Sequence, residues 1–172
     1  MKVLTVLVPT YNVEKYLRRC LDSLLLPEVL EEIEVLVVND GSKDGSADIA
    51  RAYEKKYPQT VVFVDKENGG HGSTINVGIE KAQGTYFKVL DSDDWVNIGD
   101  FIEFVKRLKE ETADAVICDY RKEHVYNGKS EYFEYKDLED GKKYNLNEID
   151  LNILHGEYFM MATTTYRTEV LR

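Results

Sequence analysis

The sequence predicts an α/β fold, with a mostly parallel central sheet, helices on both faces and a C-terminal β-hairpin and strand region. Three observations carry this. Short, continuous apolar runs such as 2–9 and 33–38 lack the alternation of a half-exposed strand, so they suit strands covered on both faces. Stretches with apolar residues at helical spacing separate these runs, which gives β-α-β-α-β-α-β-α-β over the first two-thirds of the chain. Polar and turn-forming residues follow the strands along one edge, whereas the opposite edge receives plain connections such as Gln83-Gly84.

The elements follow in order. Lys2 to Pro9 is the first strand. Asn12 is expected to cap a helix carrying Tyr16, Leu17, Cys20, Leu21, Leu24 and Leu25 on one face. Ile33 to Val38 is the second strand, broken by Asp40-Gly41-Ser42. A helix is predicted from about Gly45 to Tyr57, stopped by Pro58. Val61 to Val64 is the third strand, and Gly69-Gly70 opens a helix that reaches about Ala82. Thr85 to Leu90 is the fourth strand, and it runs directly into Asp91-Ser92-Asp93-Asp94. Asn97 caps a helix to about Glu111, with Phe101, Phe104, Val105 and Leu108 on one face, and Ala115 to Asp119 is a fifth strand. Residues 121–145 are rich in charge and tyrosine, with Asn127-Gly128 as a hairpin signal. A short helix over 146–155, a strand from Tyr158 to Tyr166 and the start of a helix at Thr168 complete the pattern. That last element, begun at the end of the sequence, reads as part of something longer.

Bulk properties exclude several function classes. The 172 residues suffice for one domain with a substantial core. Basic residues number 22 and acidic residues 32, so the net charge is 22 − 32 = −10. Nucleic-acid binding, which needs a basic surface, is not expected. A nucleotide ligand remains compatible, because a metal ion can supply positive charge locally. No apolar run approaches the roughly 20 residues of a membrane span, and 1–9 has no signal-peptide layout. Cys20 and Cys118 form no metal-ligand spacing and are expected to be reduced, mostly buried thiols, as in the cytoplasm.

Ligands of open parallel sheets bind outside the carboxyl ends of the strands. Those ends carry Pro9-Thr10-Tyr11-Asn12, Asn39-Asp40-Gly41-Ser42, Asp65 with Asn68-Gly69-Gly70-His71, and Asp91-Ser92-Asp93-Asp94. Three aspartates in four residues repel one another, and hard divalent ions such as Mg²⁺ or Mn²⁺ take such oxygen ligands together with phosphates. The position directly after a buried strand favours this over a solvated acidic turn. Asp40 suits a hydrogen bond from a base or ribose, or equally an Asx-type turn, with Asp44 serving the next helix in the same way. Thr10 and Tyr11 are candidates for a base pocket, Tyr11 by stacking, although strand-end packing explains them as well. His71, at a helix start, suits a phosphate or an exposed loop. Lys88, unusual inside an apolar strand, is expected to pair with a carboxylate or phosphate or to reach solvent. The tyrosines of 121–145 suit an acceptor platform or a half-buried hairpin.

Val8-Pro9-Thr10-Tyr11-Asn12, Val38-Asn39-Asp40-Gly41-Ser42-Lys43-Asp44-Gly45-Ser46, Asn68-x-Gly70 with Asn76-x-Gly78, Ala82-x-Gly84-x-Tyr86 and Leu90-Asp91-Ser92-Asp93-Asp94 together resemble family 2 glycosyltransferases over about residues 3–110. The resemblance implies a GT-A (Rossmann-like) fold and an inverting, metal-assisted transfer from a nucleotide diphosphate sugar, usually a UDP-sugar, by a hexosyl- or N-acetylhexosaminyl-transferase. By the same carry-over Thr10, Tyr11 and Asp40 contact base and ribose, and Asn68 to Asn76 lies near the diphosphate and sugar. Asp91-Ser92-Asp93 looks like the family's DxD motif, with Asp91 on ribose and Asp93 on Mn²⁺ or Mg²⁺. Asp94 is the rival metal ligand. The implied acceptor is a glycan, a glycoprotein or a lipid-linked species, and the implied location is the cytoplasm, including the inner membrane surface. A homo-oligomer is compatible with the sequence. Residues 1–120 would form the donor-binding portion and 121–172 the start of an acceptor-side portion of one domain.

Two departures stand out. Relatives often carry arginine where Ile75 stands, which leaves His71, Lys88 or the metal to neutralise phosphate. The general base of relatives lies further along, beyond residue 172; Glu157 and Asp119 are weaker substitutes. A competing reading is a non-catalytic donor-binding or assembly module of a larger transferase. A nucleotidyltransferase would need a glycine-rich basic loop after the first strand, and an aspartate-nucleophile phosphatase would place Asp-x-Asp after an early strand. Nicotinamide and P-loop fingerprints are absent.

Overall fold

Every residue of β1 (Leu4–Thr10) and β2 (Ile33–Asp40) is buried, because both strands lie inside a sheet covered on its two faces. The computed structural model describes residues 1–136, 138–145 and 159–172. β1 pairs in parallel with β2 and with β4 (Tyr86–Val89), and β2 pairs in parallel with β3 (Val61–Lys66). The six-stranded sheet has the order β3-β2-β1-β4-β8-β5. In it β8 (Thr164–Arg167) runs antiparallel to both β4 and β5 (Ala115–Ile117). The chain winds from β1 outward through β2 to β3 and then returns to the other side of β1 as β4. The crevice between β1 and β4 is thus the topological switch point, where α/β sheets bind ligands.

Alternation along the strands divides the core into two layers. Leu4, Val6 and Val8 of β1 and Ile33, Val35 and Val37 of β2 pack with α1 (Leu17–Leu24), α2 (Ser46–Lys56) and α4 (Ile98–Leu108). Leu7, Leu36 and Val38 face the other way, with Phe87 and Val89, against Ile75 and Ile79 of α3 (His71–Lys81). Each such side chain contributes about 1.5–3 kcal/mol on full burial, so the two layers hold all four helices to the sheet. The edge opposite the carboxyl ends is closed by a buried polar knot. Glu34 accepts from the Thr5 hydroxyl at 2.7 Å and from the Gln83 amide at 2.9 Å, and Thr5 accepts from the Gly84 amide at 2.8 Å. Gly84 is required there, since a Cβ would stand 2.4 Å from the Thr5 nitrogen.

The helix signals held with two exceptions. Asn97 caps α4 through Oδ1, which accepts from the Gly99 and Asp100 amides. Asp44 likewise receives the Ser46 amide at the start of α2. Asn12, however, does not cap α1, whose first flanking residue is Tyr16. Asn12 adopts a left-handed backbone (φ 54°), and its Oδ1 accepts from the Lys43 amide at 2.7 Å. The same turn propensity thus ties two loops together instead of starting a helix. The element at Thr168 is a 3₁₀ turn, Thr168–Leu171, and the strand expected from Tyr158 is β8, preceded by a 3₁₀ turn over Met161–Thr163. The short helix expected over 146–155 and the strand's start at Tyr158 lie outside the described residues.

Asn127-Gly128 joins β6 (Tyr120–His124) to β7 (Lys129–Phe133) in a separate two-stranded sheet. Tyr120 stacks on Phe133 with ring centroids 4.7 Å apart. Both cysteines are free, Cys20 buried and Cys118 half-buried. Lys88 does not reach out to solvent: it is buried in β4, and its ammonium donates to the Ala162 carbonyl rather than to a carboxylate. Burial lowers its pKa, a trend the nearby Cys118 opposes. No helix among the described residues is long and apolar enough to cross a membrane.

Candidate donor site

The carboxyl ends of β1, β2, β3 and β4 bring four loops to one edge. Pro9 and Thr10 are the last residues of β1, and Thr10 is buried with its hydroxyl donating to the Val8 carbonyl. Tyr11 follows at 51% exposure, an aromatic ring left open directly after the buried strand. The first two loops are laced together: the Asn12 amide donates to Ser42 Oγ at 3.0 Å, the Val13 amide to Ser46 Oγ at 2.9 Å, and the Gly45 amide to Glu14 at 2.7 Å. A cavity of about 570 Å³ beside them is lined by Tyr11, Gly41, Lys43, Asp65, Lys66, Glu67 and Asn68.

Asp40 ends β2 behind this cavity, with a side chain 4% exposed. Its Oδ1 accepts from Lys66 Nζ at 2.5 Å and from the Gly69 amide at 2.9 Å, and its Oδ2 accepts from the Gly70 amide at 2.8 Å. Burial alone would raise the carboxyl's pKa. The bonds from Lys66, Gly69 and Gly70 outweigh it and hold Asp40 below the usual carboxylate range. Asn68 donates from its side chain to the Asp40 carbonyl at 2.9 Å, which closes the loop onto β2. Gly70 takes φ 83°, where a side chain would be strained, and turns the chain into α3.

His71 is the first residue of α3, and its Nε2 lies 3.1 Å from Asp91 Oδ1, with both side chains about half exposed. The fourth loop is thereby joined to the third. Ser92 is buried, whereas Asp93 and Asp94 are exposed. Although Asp94 is exposed overall, partial desolvation by the chain around it, and then the charges of Asp93 and Asp91, raise its pKa. Asp93 and Asp94 open onto a second cleft, shared with Trp95 and with Tyr120, Tyr132 and Tyr135 of the hairpin region. Among the described residues, no three His, Cys, Asp or Glu side chains converge as a ready-made metal cage. An all-oxygen pair with unrelieved like charge nevertheless fits a hard divalent ion that draws its remaining ligands from phosphate and water.

The sequence-predicted residues therefore fall into two adjoining groups. Tyr11 and Asn68 line the cavity, with Asp40 and Gly70 bonded to each other behind it, and His71, Asp91, Asp93 and Asp94 form the acidic rim. Asp119, considered as a base, accepts from the Tyr132 hydroxyl at 2.9 Å and the Tyr135 amide at 3.0 Å, so it holds the hairpin in place. Glu157 lies outside the described residues. Two residues escaped the sequence reading. Lys66 is one; it left no local signal, because the β2–β3 register that pairs it with Asp40 is set by the folded sheet. The other is Arg19 of α1, whose guanidinium carbon sits 3.2 Å from the ring centroid of Trp95, directly after Asp94.

Comparison with known proteins agrees with this geometry. Residues 5–167 match the family described as Glycosyl transferase family 2. EpsH of Bacillus subtilis (strain 168), provisionally named a glycosyltransferase, is 41% identical over 126 residues, 73% of this chain and 36% of EpsH. Glycosyltransferase GlyA of Streptococcus pneumoniae serotype 4 is 38% identical over 118 residues, 68% of this chain and 16% of GlyA. The chain thus spans well under half the length of these relatives. Among solved structures, S. aureus TarS 1-349 superimposes with a TM-score of 0.76 at 30% identity, over 99% of this chain and 48% of that one. The same TarS region in complex with UDP-GlcNAc gives a TM-score of 0.69 at 28% identity, over 99% of this chain and 46% of that one. A fold match at 21% identity and TM-score 0.67, over 98% of this chain and 45% of the other, is the mannosyltransferase PcManGT of Pyrobaculum calidifontis, solved with GDP-Man and Mn²⁺. The chain belongs to Glycosyl transferase family 2.

Proposed function

We propose that this chain binds a nucleoside diphosphate sugar, with a UDP-sugar as first choice, and transfers the sugar with inversion to an acceptor hydroxyl of a glycan, glycoprotein or lipid-linked species. The observation that carries the reading is the adjacency of the Tyr11–Lys66–Asn68 cavity, backed by Asp40, to the His71–Asp91–Asp93–Asp94 rim, which suits a nucleoside at one end and a diphosphate at the other. TarS, similar over nearly the whole chain, has been solved with UDP-GlcNAc. Tyr11 stacks on the base, Thr10 and Pro9 shape the floor, and Asp40, kept ionised, accepts from the base or ribose. Asp91 and Ser92 take the ribose and the inner phosphate side. His71, at the positive end of α3, faces the diphosphate in place of the arginine replaced by Ile75.

Asp93, with Asp94 beside it, would hold Mn²⁺ or Mg²⁺, whose charge when bound favours departure of the diphosphate. The acceptor hydroxyl attacks the anomeric carbon from the opposite face and loses its proton to a general base. Asp119 is committed to Tyr132 and Tyr135, so we assign the base to the acceptor-side portion that the family resemblance puts after residue 172. Hexosyl or N-acetylhexosaminyl transfer, on the cytoplasmic side, is the form we favour.

Calorimetric titration of UDP with and without Mn²⁺ tests the reading. Metal-dependent binding that disappears in Asp93→Ala is the expected result. Binding that survives in Asp93→Ala but not in Asp94→Ala would transfer the ligand role to Asp94. Absence of binding by UDP and GDP alike, with either metal, would sink the donor-site reading. Tight donor binding without sugar transfer by the full-length protein would favour a donor-binding module of a larger assembly.

A further inference from the structure

Lys66 ends β3 on the wall of the nucleoside cavity, and its side chain is 21% exposed. Its ammonium has three donors. The structure gives each an acceptor: Asp40 Oδ1 at 2.5 Å, the Glu67 carbonyl at 2.6 Å and Ser73 Oγ at 2.9 Å. The three acceptors come from β2, from the loop that follows β3 and from the first turn of α3. Ser73 in turn donates to the Gly70 carbonyl at 2.7 Å. A carboxylate offers about four acceptor positions. Lys66, Gly69 and Gly70 take three at Asp40, two on Oδ1 and one on Oδ2. The remaining position, on Oδ2, is thereby fixed in direction.

We propose that Lys66 is a positioning residue for donor binding: it locks Asp40, the Gly69-Gly70 turn and the start of α3 into one rigid unit. This rests on the donor-site reading above. Through the lock, the nucleoside end of the site is coupled to His71 and hence to Asp91 at the diphosphate end. A lysine with only a structural role could be placed anywhere that neutralises Asp40. This one also reaches Ser73 and so sets where α3 begins relative to the cavity.

The test combines Lys66→Met, which keeps the stem and removes the donors, with Lys66→Arg, which keeps the charge. Amide hydrogen exchange at Gly69 and Gly70 is read in donor-free protein, and UDP affinity is read by calorimetry with Mn²⁺. In Lys66→Met the two glycine amides should lose protection while β1 and β2 amides keep theirs, and UDP affinity should fall about tenfold or more. Lys66→Arg should recover part of both. Wild-type protection of Gly69 and Gly70 in Lys66→Met would overturn the lock, and lost protection with unchanged UDP affinity would overturn its positioning role in donor binding. If the wild-type protein binds neither UDP nor GDP, the donor reading fails by itself, and glycine exchange still decides whether the lock exists.

Discussion

At the scale of single residues, the site is made by short polar groups that serve the backbone and a ligand at once. Asp40 is the clearest case. With its folded pKa depressed, it contributes stability that is fully present above the unfolded value near 3.8 and is lost as pH falls through the folded value. Asp40→Asn should therefore be less stable than wild type at neutral pH. The gap should close below about pH 4, as followed by denaturant midpoints across pH; a gap constant down to pH 2 would contradict the assignment. His71 makes a different kind of prediction. Its ring touches Asp91 while remaining half exposed, so His71→Ala should weaken UDP binding with little effect on melting temperature. Uridine binding, which lacks the diphosphate, should be nearly unaffected, and an equal loss for both ligands would remove His71 from the phosphate end.

At the scale of elements, each helix is placed by its own signal, and the loops are placed by one another. Asn97 satisfies two amides at the start of α4, so Asn97→Ala should cost about 1 kcal/mol in urea unfolding. Uridine binding should be unaffected, because the cap borders the cleft of Asp93 and Asp94 and not the Tyr11–Asn68 cavity. Gly84 belongs to the knot below β1 and β4. Gly84→Ala drives a Cβ into the Thr5 backbone, and overpacking of this kind costs about 1–3 kcal/mol. A variant as stable as wild type would show that β4 can shift along β1. Asn97 was readable because a cap leaves a local mark, whereas Gln83-Gly84 read as a plain connection and its close approach is set by the packing of β4 on β1. Asn12 left the same mark and did something else: a residue that tolerates a left-handed backbone suits a cap and a loop tie alike.

At the scale of the whole molecule, the two apolar layers involve none of the carboxylates of the acidic rim, so folding is expected not to depend on a metal there. Chelation alone should leave the melting temperature unchanged. UDP with Mn²⁺ at a hundredfold excess over its dissociation constant should raise it by roughly 5–10 °C. Chelator should abolish that rise. A fall in melting temperature on chelating donor-free protein would mean a structural ion. β5 and β8 complete the sheet from positions after the four-loop edge, and the β6–β7 hairpin, held by Asp119, stands beside the cleft of Asp93 and Asp94. The tyrosine-rich segment that looked like either a platform or a hairpin is a hairpin bordering that cleft.

The sequence by itself determined the strands β1 to β4, the helices between them and the edge at which polar loops collect. Burial on both faces demands continuous apolar runs, and helical packing demands a 3.6-residue repeat; both are written within a dozen residues. The tertiary structure alone decided that β8 enters antiparallel between β4 and β5, since an apolar run carries no direction. It also decided that Lys88 spends its charge on a carbonyl 74 positions away, and that Lys66 meets Asp40 across 26 positions. Such partners are chosen by strand order and register, which depend on every element at once, so no local pattern announces them.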